Sequence, residues 1–418
     1  MRVLLLNQAF YPDVVSTAQH ARDLASRLSE EGHAVTVIAS RRAYDDPDKC
    51  FSPAETWRGV RIIRVPTLGL GKRAKWRRAL DFGSFVLGCI FELVRLRSVD
   101  VVIGMTSPPL IAFVAALFAS IRGGRLVYWV MDLNPDEAIA AGWVNPASAA
   151  ARVLDWVSRF TLRASDQVIV LDRFMRDRVL AKGIAPETVK VIPPWSHDDA
   201  VYDDDAGREA FRSEHGLTGK FVVMYSGNHS PCHPLDGLVD AARRLADDRR
   251  VVFLFVGGGS EHARVRKIAG HEHLPNIVCL PYQPIERLSA SLTSADLHVV
   301  VMGDPFVGIV HPCKIYNVLR VGLPVLYIGP ADGHIPDMVQ GESNTADWFY
   351  AASHGQADLI VEHIRTAMRR GAGIGAEQRR IASRFAENLL LGKMTDAIES
   401  VTADSAVKTQ LAAESARR

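Results

Sequence analysis

Residues 221–260 read FVVMYSGNHSPCHPLDGLVDAARRLADDRRVVFLFVGGGS. An apolar run, Phe221–Tyr225, meets the turn Ser226-Gly227-Asn228-His229-Ser230. A stretch with helical spacing, Leu235–Leu245, follows, then a second apolar run, Val251–Val256, and a second glycine turn, Gly257-Gly258-Gly259. Short apolar runs joined by an amphipathic helix predict parallel strands buried on both faces. Glycine at a strand end lets backbone approach a ligand closely, and amides at the next helix start attract phosphate. One such turn is equally well a tight turn without a ligand. Two in successive strand–helix units point to a phosphate-bearing ligand at the carboxyl edge of the sheet.

Downstream, the alternation continues through strand Ile277–Leu280, helix Ile285–Thr293, strand Leu297–Val301, helix Lys314–Val321 and strand Pro324–Tyr327. Helices run from Gln356 to about Ser400, and the polar, alanine-rich end after Val401 reads as frayed. Upstream, residues 193–219 form a linker with a short helix. Its Asp198, Asp199, Asp203, Asp204 and Asp205 read as a solvated face rather than a metal site. Before it, strands Arg2–Asn7, Ala34–Ala39, Val60–Val65, Val101–Met105, Leu126–Met131, Gln167–Leu171 and Val189–Ile192 alternate with helices. Gly32-His33 stops the first of these helices, and Ser16 or Thr17 can cap its start. The expected fold class is α/β. Two Rossmann-like, doubly wound parallel-sheet domains, 1–195 and 196–385, face each other across a cleft, and 386–418 form a C-terminal helix and frayed tail.

The chain has 418 residues, enough for two domains with sizeable cores. Its 49 Lys and Arg nearly cancel 47 Asp and Glu, which argues against a nucleic-acid partner. Five cysteines, an odd number with no C-x-x-C pair, argue against a zinc site or a disulfide framework and for a reducing, cytoplasmic setting. The opening MRVLLLNQAFYPD lacks a cleavage-like site and reads as a first strand. The uncharged span Val101–Ile121 is long enough to cross a bilayer, but Ser107-Pro108-Pro109 interrupts it. It reads as a buried strand, a loop and a buried helix, Leu110–Ile121.

The loop from Asp304 to Lys314 is the most specific feature. Lys314 opens a helix, where its charge has the same sign as the helix dipole. An anion nearby explains that placement; a lysine reaching to solvent is the plainer alternative. On the first-half sheet, Asp132 stands at a strand end, where a carboxylate can orient or deprotonate a hydroxyl. Asp136 reads rather as a helix-start charge, and His20 lies on the first helix, near the same edge. A basic cluster with an aromatic residue, Lys72, Arg73, Lys75, Trp76, Arg77 and Arg78, precedes an apolar helix around Phe82–Leu96. Such a lead-in suits either docking on anionic lipid or a buried helix with a basic loop.

From residue 1 to about 385 the chain resembles the retaining family 4 glycosyltransferases of the GT-B fold, particularly bacterial members that build cell-surface polysaccharides. The resemblance rests on LLLNQAFYPD with ARDLASRLSEEGHAVTVIAS, on ASDQVIVLDRFMRDRVLAKGIAPETVKVIPPW, and on MYSGNHSPCHPLDGLVDAA, VFLFVGGGSE, VCLPYQP and HPCKIYNVLRVGLPVL in this order. It implies a nucleotide-sugar donor, UDP-linked by family habit, bound without metal or other cofactor in the second domain. Gly227, Asn228, His229, Gly258 and Gly308 would lie near the donor, with Tyr282 bordering its base and Lys314 the cationic partner of its diphosphate. The family's spaced pair of glutamates is missing, and Asn317 stands where the second is expected. The glycine pair before the first helix is also replaced, by Val14-Val15-Ser16-Thr17. Together with the strand-end position of Asp132 and the helix position of His20, the resemblance makes Asp132, Lys314 and His20 the expected catalytic residues. The acceptor is a sugar or lipid-linked sugar at the inner face of the cytoplasmic membrane. A nucleotide-sugar epimerase and a catalytically weak scaffold of the same architecture are the alternatives.

Overall fold

The computed structural model describes residues 1–13, 15–44, 46, 48–70, 75–196, 201–371 and 375–415, with side chains for all of these except 75 and 404–415. The chain divides into two compact units. The first takes Met1–Pro194 together with the segment from Leu390 onward, and the second is Trp195–Leu389.

The first unit runs β1 (Arg2–Leu6), α1 (Ser16–Glu30), β2 (Ala34–Ser40), β3 (Ala54–Trp57), β4 (Val60–Val65), α2 (Lys75–Arg95), β5 (Val101–Gly104), α3 (Ile111–Arg122), β6 (Arg125–Trp129), α4 (Asp136–Ala140), α5 (Ala149–Ala164), β7 (Gln167–Val170), α6 (Arg173–Ala181) and β8 (Val189–Val191). Among the described residues its sheet has the order β3-β4-β2-β1-β5-β6-β7-β8. β1 pairs in parallel with β2 (Val3 opposite Val35) and with β5 (Val3 opposite Val101). Only β3 runs antiparallel, against β4. Residues 54–57, Ala-Glu-Thr-Trp, are half polar because this edge strand is half exposed, so no continuous apolar run announces it. Leu4, Leu6, Val102, Phe85, Cys89, Ile111 and Ala115 build the core under α2 and α3.

Two local expectations are corrected. The residue before α1 is Val15, with no side-chain cap, so neither Ser16 nor Thr17 fills that position. The helix end is as expected: Gly32 adopts φ +85°, its N–H donates to Ser29 O (3.0 Å), and His33 N–H donates to Leu28 O (3.0 Å). α3 is not buried all round, since Leu117 is 40% and Ile121 79% exposed. Among the described residues no helix is long and apolar enough to cross a membrane.

The second unit runs α7 (Asp205–Glu214), β9 (Phe221–Asn228), α8 (Asp236–Arg244), β10 (Val251–Gly258), α9 (Ser260–His271), β11 (Ile277–Leu280), α10 (Leu288–Thr293), β12 (Leu297–Val301), α11 (Lys314–Val321), β13 (Val325–Ile328), α12 (His334–Val339), β14 (Phe349–Ala352), α13 (Ala357–Arg370) and α14 (Ala376–Ala382). The all-parallel sheet has the order β11-β10-β9-β12-β13-β14. Alternate residues face opposite cores. Val223, Tyr225, Phe253 and Phe255 pack with Leu238 of α8 and Ile360 of α13. Val222, Met224, Leu254 and Val256 pack with Phe211 of α7 and Leu292 of α10. Each such side chain, fully buried, stabilises by roughly 1.5–3 kcal/mol before chain entropy is counted. Of the aspartate run, Asp204 caps α7 by accepting Gly207 N–H (2.9 Å), and Asp203 pairs with Arg379 (3.7 Å). Asp198 and Asp199 lie outside the described residues.

The last helix, α15 (Glu387–Ser415), is helical well past Val401. Its alanine, glutamine, lysine and leucine content favours helix where polarity alone suggests fraying. From Leu390 it belongs to the first unit. His33 Nε2 meets Glu399 at 2.8 Å, and Lys190 Nζ donates to Ser400 Oγ at 3.1 Å.

Candidate active site

In the second unit the chain lays β9, β10 and β11 outward in one direction, then returns to place β12 on the other side of β9. The crevice at the carboxyl ends of β9 and β12 is therefore the topological switch point, where open α/β sheets bind ligands. β9 ends in Gly227-Asn228, and Lys314 opens α11 after β12. Gly227 adopts φ +120°, and a Cβ there would stand 3.5 Å from Cε and 3.6 Å from Nζ of Lys314. Only glycine holds that backbone without strain, so the turn and the lysine side chain pack directly.

The Lys314 ammonium lies 3.5 Å from the centroid of the Tyr225 ring. Its Nζ is buried and, among the described residues, has no hydrogen-bond partner. No acidic side chain stands in the first turn of α11. Burial pushes the amine well below the usual lysine range. The switch point thus holds a buried amine with hydrogen-bonding capacity to spare at the place where an anion is expected.

The two glycine turns are packed on one another. A Cβ on Gly257 would collide with the Gly227 carbonyl, and one on Gly259 with the carbonyl of His229. His229, 0% exposed, ties them together. Its Nδ1–H donates to Gly227 O (2.8 Å), its backbone N–H donates to Gly258 O (2.9 Å), and its carbonyl accepts Glu261 N–H (3.0 Å). Burial first, then the charges of Lys314 and His262, push its imidazole down to about 3, so it is neutral near pH 7. His233 is likewise buried, donating from Nδ1 to Val301 O (2.7 Å), and is pushed down to about 3. Tyr282, half exposed, lays its ring on Gly258, where a Cβ would come within 3.0 Å of it. Asn228 is exposed at the end of β9. Gly308, at φ +70°, turns the loop between β12 and α11, and Asn317 follows Lys314 by one helical turn. Of the residues singled out in the sequence, the structure thus brings Gly227, His229, Gly258, Tyr282 and Lys314 into one packed group. Tyr225 was missed: as the last of an apolar run it looks like any core aromatic.

In the first unit the corresponding switch point lies between β1 and β5. Asp132 follows β6. Burial first, then the charge of Glu137, push its carboxyl up to about 8. Asp136 pairs with Lys182 Nζ (2.8 Å), which also reaches Asp155 (3.2 Å), so this carboxylate fixes the start of α4 to α5 and α6. His20, 1% exposed, sits on the buried face of α1.

Known structures share this architecture. A sucrose-phosphate synthase from Thermosynechococcus elongatus superposes with a TM-score of 0.74 at 16% identity, covering 97% of this chain and 100% of that one. Anabaena HepE in complex with UDP-glucose superposes with a TM-score of 0.70 at 16% identity, covering 96% and 100%. In sequence, WcaI of Escherichia coli (strain K12), assigned as a colanic acid biosynthesis glycosyl transferase, is 28% identical over 334 residues, 77% of this chain and 82% of that protein. The α/β architecture is that of the GT-B fold. Residues 17–195 match the glycosyl transferase 4-like domain family.

Proposed function

We propose that the enzyme moves a sugar from a UDP-linked donor to a sugar or lipid-linked sugar acceptor in surface polysaccharide biosynthesis, with retention at the anomeric carbon. The observation that carries this is Lys314, a buried, unsatisfied amine at the switch point of the second unit, packed on Gly227. Donor binding brings the diphosphate to it. As the sugar–phosphate bond breaks, negative charge grows on the departing diphosphate, and a preorganised cation there lowers the barrier. Departure and acceptor attack share one face of the sugar, so no enzyme nucleophile is involved. Lys314 supplies the positive charge, and the mechanism uses no metal. Asn228, Gly258 and Gly308 line the donor, Tyr282 borders its base, and Asn317 offers an amide to a ribose hydroxyl. Asp132, ionised above about pH 8, orients or deprotonates the acceptor hydroxyl, with His20 positioning groups beside it. UDP-glucose in HepE and colanic acid in the name of WcaI support the donor and the pathway class.

The enzyme acts at the cytoplasmic face of the membrane as a peripheral protein. Trp76 (60% exposed) and the exposed Arg77 at the start of α2 support this. Of the same basic cluster, Lys72 and Arg73 and the side chain of Lys75 lie outside the described residues. Flotation with anionic vesicles tests the docking: no binding removes it, and binding that persists after Lys72, Arg73, Lys75, Arg77 and Arg78 are neutralised shows that this patch is not the anchor. Calorimetric titration with UDP and GDP in EDTA tests the donor site. Micromolar UDP binding that is lost in Lys314→Ala supports it, and no binding of either nucleotide removes it.

A further inference from the structure

β9 forks at Tyr225. On one side its pairing with β12 stops at Met224, opposite His298. On the other its pairing with β10 runs on to Asn228, opposite Gly258. Residues Tyr225–Asn228 therefore keep β10 alone as a strand neighbour, and the crevice opens where β12 leaves. Tyr225, 0% exposed, stands at the root of that fork.

Part of its role is plain packing, since it belongs to the core built with Phe253, Phe255 and Leu238. Three contacts go further. The Lys314 ammonium lies 3.5 Å from the ring centroid. The hydroxyl donates to Asn228 O (3.1 Å). Burial holds the phenol well above its usual pKa, so it stays a donor at neutral pH. The imidazole of His229, which ties the two glycine turns together, meets the ring in a T-shaped contact with centroids 4.6 Å apart. One side chain thus touches the lysine of α11, the end of β9 and the residue that joins the turns.

A lysine loses much rotamer freedom when its side chain is fixed. The face of an aromatic ring is the negative end of its quadrupole and attracts an ammonium. On the ring, Lys314 is ordered before any donor arrives. The contact occupies one side of the ammonium and leaves N–H groups on the other for phosphate oxygens. The hydroxyl bond holds the Asn228 end of the turn, whose Gly227 packs on the lysine stem.

We propose that Tyr225 is the positioning residue of the donor site: its ring holds the Lys314 ammonium, and its hydroxyl holds the Gly227-Asn228 turn, where a diphosphate meets both. The inference rests on the donor-site reading and deepens it by naming a buried residue that acts through Lys314 without touching the donor.

Calorimetric titration of the full chain with UDP tests it, on the parent, Tyr225→Phe, Tyr225→Leu, Lys314→Met and the double variant Tyr225→Leu with Lys314→Met. Tyr225→Leu should weaken UDP by about tenfold or more. Tyr225→Phe keeps the ring and loses only the hydroxyl bond, so it should recover most of that loss. In the Lys314→Met background, Tyr225→Leu should cost no more than the small share that Tyr225→Phe costs, because the ring acts through the amine. Phe253→Leu, in the same core but deeper in β10, is the structural control. It should lower the thermal midpoint and leave UDP affinity unchanged. If the leucine variant does not fold, Tyr225→Met carries the same prediction, since methionine adapts to irregular core space. A full loss in Tyr225→Phe, or an undiminished further loss in the Lys314→Met background, overturns the route from ring to lysine. Tighter UDP binding by Tyr225→Leu also overturns it, because the ring then competes with the donor for the amine. Weakening by Phe253→Leu to the same extent reduces the effect to general loosening, and the inference falls. UDP that binds the parent and is indifferent to Tyr225→Leu refutes this inference and leaves the donor site standing. No UDP binding by the parent removes the donor site and the inference together.

Discussion

The ammonium nitrogen of Lys314 sits 3.5 Å from the centroid of the Tyr225 ring, and among the described residues no hydrogen bond reaches it. A desolvated cation–π contact contributes about 2 kcal/mol, whereas taking an ammonium out of water costs several. The imbalance is what pushes the amine's pKa down, and it makes this part of the second unit a place of stored instability. Lys314→Met should therefore raise the thermal midpoint of the ligand-free protein, by about 1–3 kcal/mol of stability. The same change should weaken UDP by about a hundredfold. Thermal unfolding and calorimetry on one preparation read both effects, and a variant less stable than the parent contradicts the account.

Ligand binding should be linked to protons. Lys314's folded pKa is depressed, so its favourable contribution to stability is complete above its unfolded value near 10.4 and is lost as pH falls toward the folded pKa. A diphosphate beside the amine raises that pKa, so UDP binding takes up protons. Titrations in buffers of differing ionisation enthalpy should show uptake at neutral to alkaline pH, and affinity should fall as pH rises. Lys314→Met should show neither effect.

Asp132 sets a different pH dependence. Its carboxyl is pushed up to about 8, mainly by burial. A raised folded pKa means that its contribution to stability is full below the unfolded value and is lost as pH rises toward about 8. Activity that requires the ionised carboxylate should rise over the same interval. Turnover measured from pH 6 to 9 should show an ascending limb with a midpoint near 8, and Asp132→Asn should lower kcat by about 10²–10⁴-fold and remove the limb while leaving UDP affinity intact.

Gly227 is where backbone geometry and function meet. At φ +120° an alanine is strained, and Gly227→Ala should cost about 1–3 kcal/mol and weaken UDP, because the strained turn relaxes away from the conformation that packs on Lys314. Gly216→Ala, also at positive φ but with open space around its would-be Cβ, should cost stability without touching UDP affinity. Denaturant unfolding and calorimetry separate the two effects.

Much of the architecture was legible because parallel strands buried on both faces write themselves as apolar runs, as Phe221–Tyr225 and Val251–Val256 do. β3 was not, since an exposed antiparallel edge keeps its glutamate and threonine. β14 was not, since Phe349-Tyr350-Ala351-Ala352 is too short to stand out. Lys314 was legible from its charge at a helix start. The partnership with Tyr225 was not, since it depends on β9 and α11 meeting across the switch point. His229 looked like a ligand contact because it follows Gly227-Asn228. Its full burial and three backbone hydrogen bonds instead make it the clasp between two glycine turns.

The return of α15 to the first unit has a consequence for the order of events during synthesis. Leu390, Leu391, Met394, Ala397 and Ile398 are all buried, and Glu399 reaches back to His33. The first unit cannot close until the ribosome has passed these codons, well after Pro194. At about 5–20 residues per second this is a wait of roughly 10–40 s. The second unit, continuous in sequence, has no such delay, so the portion made first is the one finished last.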